Sequence, residues 1–216
     1  YNIILNDWTS AYTERALVSV SQLYLKQKQY NEAVQQLKKL ELTSEYKSNY
    51  AYAINNLLIS YFNIGDYKET LNYAALVKNY EKSSEEEIAT AHLYAAKAYL
   101  ATSKPAEATK ELNLAALKSK TATGAEARYL VAEQQLKAKE YDKAIKSAFD
   151  ISDTFSSYDY WVAKGFILMA DAYTGKGDAF QAKSTLESII DNYENKEDGI
   201  LKTAKEKLQK LNTTKK

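Results

Sequence analysis

The chain has 216 residues, with 29 Lys and Arg against 28 Asp and Glu, so its formal net charge is +1. A charge this close to zero gives no electrostatic basis for binding nucleic acid or an acidic membrane, and we expect neither as a partner. Hydrophobic residues make up 45% of the chain, which is typical of a folded protein. One Pro and six Gly are too few for the turns of a β-sandwich or barrel, so we predict an all-α fold.

The sequence offers few residues for catalysis or metal binding. It contains no cysteine and a single histidine, His92, which excludes disulfides, thiolate nucleophiles and multi-histidine metal sites within this chain. We interpret His92 as a structural residue because it falls at a core-facing helix position. No apolar run approaches the ~20 residues that a membrane-spanning helix needs. We therefore expect no cofactor, no metal, no membrane insertion by this chain and no enzymatic activity.

Residues 1–12 begin with the apolar stretch YNIILNDW, which has no charged helix cap. We interpret this segment as the end of a preceding repeat or as an N-terminal lead-in, and we expect the chain to be the C-terminal part of a longer array. An apolar array end without a cap favours association. We therefore expect a tendency to self-associate through this end.

A short turn recurs every 36 to 38 residues, at Tyr30, Tyr67, Pro105, Tyr141 and Ala179. The recurrence divides the chain into five units, 13–47, 48–84, 85–121, 122–157 and 158–194. Three residues after each turn position stands a small residue: Ala33, Thr70, Ala108, Ala144 and Ala182. Nine residues before the small residue stand Tyr24, Tyr61, Tyr99, Gln135 and Tyr173. Helical spacing keeps the apolar residues of each half on one face, and the nine-residue step crosses a tight turn. Each unit is therefore predicted to be two antiparallel helices.

The residue that ends each first helix is expected to adopt a left-handed backbone conformation. Gly65 and Gly177 suit this position because glycine has no Cβ. Lys28 and Lys139 occupy the same place in units one and four. We therefore predict more strained turns at these two lysines.

Three sequence signals mark helix starts. Pro105 stands at a favoured first-turn position of a second helix. Ser84–Glu87 and Thr123–Glu126 both have the spacing of a capping box, in which a hydroxyl and a carboxylate satisfy the free N–H groups of a first turn. We predict that the first helices of units three and four begin at these two boxes.

The segment after unit five, residues 195–216, is predicted to form a closing helix. Its apolar residues share one face: Ile200, Leu201, Ala204, Leu208 and Leu211. Lysines cover the opposite face. An array of stacked helices needs such an amphipathic last helix to cover its final apolar surface.

The repeated pattern resembles the tetratricopeptide repeat. The resemblance is carried by Val20-Ser21…Tyr24…Tyr30…Ala33, Leu57-Leu58…Tyr61…Gly65-Asp66-Tyr67…Thr70, Ala95-Ala96…Tyr99…Ala108, Val131-Ala132…Tyr141…Ala144 and Met169-Ala170…Tyr173…Gly177-Asp178…Ala182. It implies a right-handed superhelical α-solenoid of about five helix hairpins plus the C-terminal capping helix. The units are longer than the family's usual ~34 residues, and in this they resemble bacterial cell-envelope members. That likeness implies the periplasm or cell envelope as the location, with the cytoplasm as the alternative.

In this family the first helices line the concave face, where partners bind. The resemblance places these residues in that groove: Arg15, Val18, Gln22, Lys26, Tyr52, Asn55, Ile59, Leu93, Lys97, Tyr129, Glu133, Ile167 and Asp171. Lys97 and Tyr129 are expected to share one surface and to be substantially exposed. Tyr and aliphatic residues among a few charges are typical of a protein-binding groove. We predict a non-enzymatic scaffold for a protein or peptide segment. The alternative is a sensory domain that binds a small molecule or glycan, which a closed pocket near Tyr52, Tyr94 and Tyr129 would favour.

Overall fold

A computed structural model describes the backbone of residues 11–213 and the side chains of residues 13–213. Within this range the chain forms eleven α-helices and no strand, which confirms the all-α prediction. The helices are α1 (Ala11–Lys26), α2 (Tyr30–Thr43), α3 (Lys47–Asn63), α4 (Tyr67–Asn79), α5 (Glu85–Ala101), α6 (Pro105–Lys118), α7 (Ala122–Lys137), α8 (Tyr141–Thr154), α9 (Asp159–Gly175), α10 (Ala179–Asn192) and α11 (Ile200–Thr213). The apolar segment Tyr1–Trp8, predicted to end a preceding repeat, lies outside the described residues.

The chain divides into two compact units, with the boundary between Glu111 and Leu112. In the first unit each helix from α1 to α5 packs against the next, and the first helices α1, α3 and α5 also contact in order. In the second unit α7 to α11 pack in sequence, and α9 contacts both α7 and α11. The predicted array of helix hairpins is confirmed by this packing. None of the helices in residues 11–213 is long and apolar enough to span a membrane.

The predicted helix register is confirmed at every repeat. The small residues after the turns are fully buried, at 0% exposure: Ala33, Thr70, Ala108, Ala144 and Ala182. The residues four positions later are equally enclosed: Leu37, Ala74, Leu112, Ala148 and Leu186. Small side chains at the centre of each hairpin let two helix backbones approach closely, so larger apolar residues can pack around the contact.

The turns adopt the backbone conformation that their sequence predicts. Gly65 and Gly177 have φ angles of 83° and 81°. Lys28 and Lys139 occupy the same left-handed region at 57° and 59°, where a side chain is disfavoured by about 1–2 kcal/mol. Ser103, at 59°, completes the set in the turn before α6, and the sequence pattern did not single it out.

One of the two predicted capping boxes is present. The Ser84 hydroxyl accepts from the Glu87 N–H, while the Glu87 carboxylate accepts from the Ser84 N–H at 2.8 Å. The predicted box at Thr123 is wrong, because α7 begins at Ala122 and its cap is Thr121, whose hydroxyl accepts from the Thr123 N–H at 3.2 Å. Pro105 opens α6 as predicted.

The closing helix α11 lies over the last hairpin as expected. Ile200 and Ala204 are buried at 5% and 0% exposure, in a cluster with Ile167 and Ile189. Leu208 and Leu211 pack against the same cluster. This face of α11 therefore covers apolar surface of α9 and α10.

Candidate partner-binding surfaces

In the first unit, α1 and α3 carry the first seven residues predicted for the groove, of which Val18 on α1 is half-buried. Arg15, Gln22 and Lys26 are exposed on α1. On α3, Ile59 is half-buried. Tyr52 is also half-buried, and its hydroxyl lies 3.2 Å from the Ser21 Oγ. Because α1 contacts α3, these side chains lie on neighbouring first helices.

Two polar side chains of α3 are less accessible to a binding partner than their position in the sequence suggests. Burial raises the pKa of Tyr52, against the opposing effect of its hydrogen bond with Ser21, so this phenol stays protonated at neutral pH. The Asn55 Oδ1 is enclosed and has no hydrogen-bond partner among the described residues. An enclosed acceptor does not face a partner directly, so Asn55 meets one only if its side chain turns outward.

Two apolar residues predicted for the groove are buried. Leu93 on α5 is 3% exposed and Ile167 on α9 is 8% exposed. Ile167 packs in the cluster that holds Ile200 and Ala204 of α11. These two positions therefore belong to the packed interior rather than to a free surface. The prediction failed here because the sequence pattern does not distinguish groove residues from residues covered by the next helix.

Lys97 and Tyr129 are both half-buried, so the expectation of substantial exposure is wrong. The Lys97 ammonium lies 4.8 Å from the ring centre of Tyr94. The Tyr129 ring is covered in part by Trp161, whose ring centre is 5.6 Å away. In both cases a neighbouring side chain on a first helix shields the residue.

The second unit contains a cluster of three aromatic rings around one ammonium group, which we call the α7–α9 aromatic cluster. It consists of Tyr129, Tyr160, Trp161 and Lys164. The Lys164 Nζ lies 4.2 Å from the Tyr129 ring centre, 4.9 Å from that of Trp161 and 5.5 Å from that of Tyr160. Tyr160 meets Trp161 edge-on at 5.1 Å and remains 41% exposed. Cation–π contacts with several rings hold these side chains in one arrangement.

Two predicted carboxylates flank this cluster, and each is paired with a lysine. Glu133 accepts from Lys137 at 2.7 Å and from the Tyr129 hydroxyl at 3.4 Å. Asp171 accepts from Lys207 of α11 at 2.6 Å. Burial, followed by the Glu133 and Asp171 charges, raises the pKa of Tyr129 far above its ordinary value. The arrangement is that of a polar border around an aromatic surface, with a neutral phenol inside it.

A pocket of about 980 Å³ opens beside the cluster, between the first half of α9, the end of α10 and the connection before α11. Its lining comprises Asp159, Tyr160, Val162, Ala163, Phe166, Ser188, Ile189, Asn192, Tyr193, Glu194, Asn195 and Asp198. The Tyr193 hydroxyl donates to Asp198, whose other oxygen accepts from the Ile200 N–H at 3.1 Å. The sequence analysis missed this pocket, because part of its lining comes from the connection between α10 and α11, which the repeat pattern does not describe.

His92 has the structural role expected for it. It is 7% exposed, and its Nδ1 lies 2.6 Å from the Glu111 carboxylate, which also accepts from Lys78 at 3.0 and 3.1 Å. Burial alone would raise the pKa of Glu111, but the hydrogen bonds from His92 and Lys78 outweigh it and lower the pKa. The three groups link α4, α5 and α6. Residues 11–213 contain no group of three His, Cys, Asp or Glu side chains placed to hold a metal ion.

No family model matches the sequence, and no curated protein matches it significantly. Solved structures do match the architecture. The C-terminal part of a tetratricopeptide-repeat protein from Cytophaga hutchinsonii superimposes with a TM-score of 0.63 at 14% identity, over 91% of this chain and 79% of that one. A tetratricopeptide repeat protein from Parabacteroides merdae gives 0.55 at 14% identity, over 93% and 87%. The chain has the tetratricopeptide-repeat fold. The MamA protein matches with a TM-score of 0.62 at 16% identity, over 86% of this chain and 98% of that one.

Within this tetratricopeptide-repeat fold, the first helices of the hairpins are α1, α3, α5, α7 and α9. The surface residues described above lie on these helices. The pocket differs, because it also uses the end of α10 and the connection to α11. The fold thus presents two kinds of candidate site, a first-helix surface and an end pocket.

Proposed function

We propose that the chain is a non-enzymatic interaction scaffold that binds a protein or peptide segment along its first helices. The α7–α9 aromatic cluster carries this proposal. Tyr and Trp supply much of the binding energy in protein interfaces, because they bury a large area and lose little conformational freedom. The cluster is held by the Lys164 ammonium before any partner arrives, and such preorganisation lowers the cost of binding.

The charged border of the cluster suits the rim of an interface. The side chains of Lys137 and Lys207 are 64% and 34% exposed, so solvent reaches the ion pairs they form with Glu133 and Asp171. Rim charges of this kind affect the association rate and its salt dependence more than the affinity. A bound segment is therefore expected to be anchored by the aromatic rings and oriented by the border.

The first unit adds a second contact surface to the proposal. Arg15, Gln22 and Lys26 on α1 are exposed beside the half-buried Tyr52 and Ile59 of α3. These residues combine mobile polar groups with a fixed phenol and an aliphatic side chain. We expect them to contribute less than the α7–α9 aromatic cluster, because the exposed long side chains lose conformational freedom when they bind.

The pocket favours a second candidate function, the binding of a small molecule or glycan. Its volume of about 980 Å³ is at the upper end of the ~300–1,000 Å³ typical of ligand sites. It is lined by Tyr160 and Tyr193 rather than by the tyrosines named for this alternative from the sequence. A ligand of this class is expected to raise the melting temperature in a thermal-shift screen of saccharides and metabolites.

A comparative capture experiment tests the scaffold. The immobilised chain, the Tyr129→Ala/Trp161→Ala variant and a Phe149→Ala control are incubated with extract of the source organism. Phe149 is 59% exposed on α8, so its truncation removes an aromatic side chain from a second helix. Quantitative mass spectrometry identifies proteins retained by the chain and the control but lost with the double variant.

The most strongly retained of these proteins is then purified and titrated against the original chain, the double variant and the Phe149→Ala control. We expect the double variant to lose ~2 kcal/mol or more of binding free energy, the scale of an aromatic hot spot, and Phe149→Ala to change little. Circular dichroism establishes that the double variant is folded. Equal affinity for the chain and the double variant would contradict the assignment of the surface.

A further inference from the structure

Aromatic and aliphatic side chains line the end pocket. Tyr160 and Phe166 project from α9, and Tyr193 begins the connection that closes the far side. Val162 and Ile189 supply aliphatic surface between them. Flat rings around an open cavity offer faces on which a planar or cationic group can stack.

The charged residues that line this pocket are all acidic. Asp159, Glu194 and Asp198 line it, and no lysine, arginine or histidine is among its lining residues. Asp159 and Glu194 have no ion-pair partner within the part of the chain that the structure describes. The C-terminal end of α10 adds partial negative charge, because its last carbonyl groups point out of the helix.

The effect of this charge is visible at Tyr193. Burial raises the pKa of its phenol, and the hydrogen bond to Asp198 and the nearby Asp159 charge raise it further. The pocket therefore combines aromatic rings, among them the neutral Tyr193 phenol, with carboxylate side chains. Such an environment attracts an organic cation and repels an anion.

We propose that this pocket binds an arginine of a protein segment, which rests on the function proposed above. A guanidinium group stacks on aromatic faces, is more weakly hydrated than an ammonium group and pairs bidentately with carboxylates. The volume of about 980 Å³ leaves room for more than one residue, which favours a segment of chain over a free ion. Tyr160 belongs both to the pocket and to the α7–α9 aromatic cluster, so a bound segment can run from one to the other.

Two capped peptides test the proposal, tetra-arginine amide and tetra-citrulline amide. Citrulline keeps the shape of arginine but carries no charge. Each peptide is titrated into the isotopically labelled chain at low salt, and amide chemical shifts are followed by NMR. The tetra-arginine peptide is expected to shift amides of residues 159–166 and 188–198 selectively, and the citrulline peptide to bind at least about tenfold more weakly.

A pair of charge-matched variants locates the binding. Asp159→Asn/Glu194→Gln removes two pocket carboxylates, and Glu140→Gln/Asp153→Asn removes two exposed carboxylates outside the pocket. The pocket variant is expected to bind tetra-arginine about tenfold more weakly, and the control to bind it within about twofold of the original. The NMR spectra themselves show whether each variant is folded.

Three results would overturn the proposal: equal binding of the two peptides, shifts spread over other acidic surfaces, or an equal loss in both variants. Such a failure leaves the function proposed above intact, because the capture experiment relies on Tyr129 and Trp161 and uses neither these peptides nor these variants.

Discussion

Gly124, in the first turn of α7, is a position where an added methyl group should be strongly unfavourable. A Cβ at this position would lie 2.1 Å from the Ser119 carbonyl oxygen and 2.9 Å from the Phe155 Cε1. Contacts below 3.0 Å essentially never occur at real Cβ atoms, and the nearer atom belongs to the backbone. Gly124→Ala must therefore push the first turn of α7 away from the connection that precedes it.

Two opposing effects set the size of the change. Alanine is favoured over glycine in a helix by about 1 kcal/mol. Overpacking costs about 1–3 kcal/mol, and we take the upper end because the backbone yields less readily than a side chain. The displacement also disturbs the Ser119–Thr121 hydroxyl contact at 2.8 Å and the packing of Phe155, which is 2% exposed. We expect a net loss of about 2 kcal/mol in the free energy of unfolding.

Urea unfolding followed by far-ultraviolet circular dichroism measures this loss. Thr123→Ala is the control, because it changes the neighbouring residue without adding an atom beside Ser119, and we expect it to stay within about 0.5 kcal/mol of the original. A lower urea midpoint for Gly124→Ala, with no such change for Thr123→Ala, supports the close approach of position 124 to the Ser119 carbonyl. An unchanged or higher midpoint would refute it, since helix propensity alone would then account for the result.

Three further predictions use the same assay. Ala144→Leu overpacks a fully buried contact between α7 and α8 and should cost about 1–3 kcal/mol, whereas no loss would contradict the register. Glu111→Gln weakens the contacts to His92 and Lys78. Because the folded-state pKa of Glu111 is lowered, the variant should be less stable than the original protein by the full amount above pH 4.5, and this difference should shrink as the pH falls through the lowered pKa. A difference that stays constant with pH would argue against this ion pair. Lys139→Gly relieves a positive φ and should add about 0.5–1 kcal/mol, while the helical control Lys146→Gly should lose about 1 kcal/mol; a loss in both would show that the turn is unstrained.

The packing inside each hairpin could be predicted from the sequence because it depends on local spacing. A small residue such as Ala33 or Ala182 follows its turn at a fixed distance, and only a side chain of that size fits where two helices cross. The left-handed turns were equally predictable at Gly65, since glycine marks the position. Ser103 carries no such mark, and its turn became visible only in the structure.

The surfaces were harder to predict because they depend on contacts between hairpins. Ile167 has the spacing of a groove residue, yet α11 covers it. Thr123 has the spacing of a helix cap, yet α7 begins one residue before it, at Ala122, with Thr121 as its cap. The pocket could not be predicted, since Tyr193 and Asp198 lie in the connection between α10 and α11, which the repeated positions do not describe.

Site-specific photo-crosslinking in living cells tests the central claim, that the α7–α9 surface binds a protein, most directly. Benzoylphenylalanine is placed at position 160, whose Tyr160 side chain is 41% exposed beside Trp161, and separately at position 149, whose Phe149 side chain is 59% exposed on α8. After irradiation we expect one discrete crosslinked protein at position 160, absent when Tyr129→Ala and Trp161→Ala are added, and no such product at position 149. No adduct at position 160, or the same adduct at position 149, would contradict the assignment of this surface.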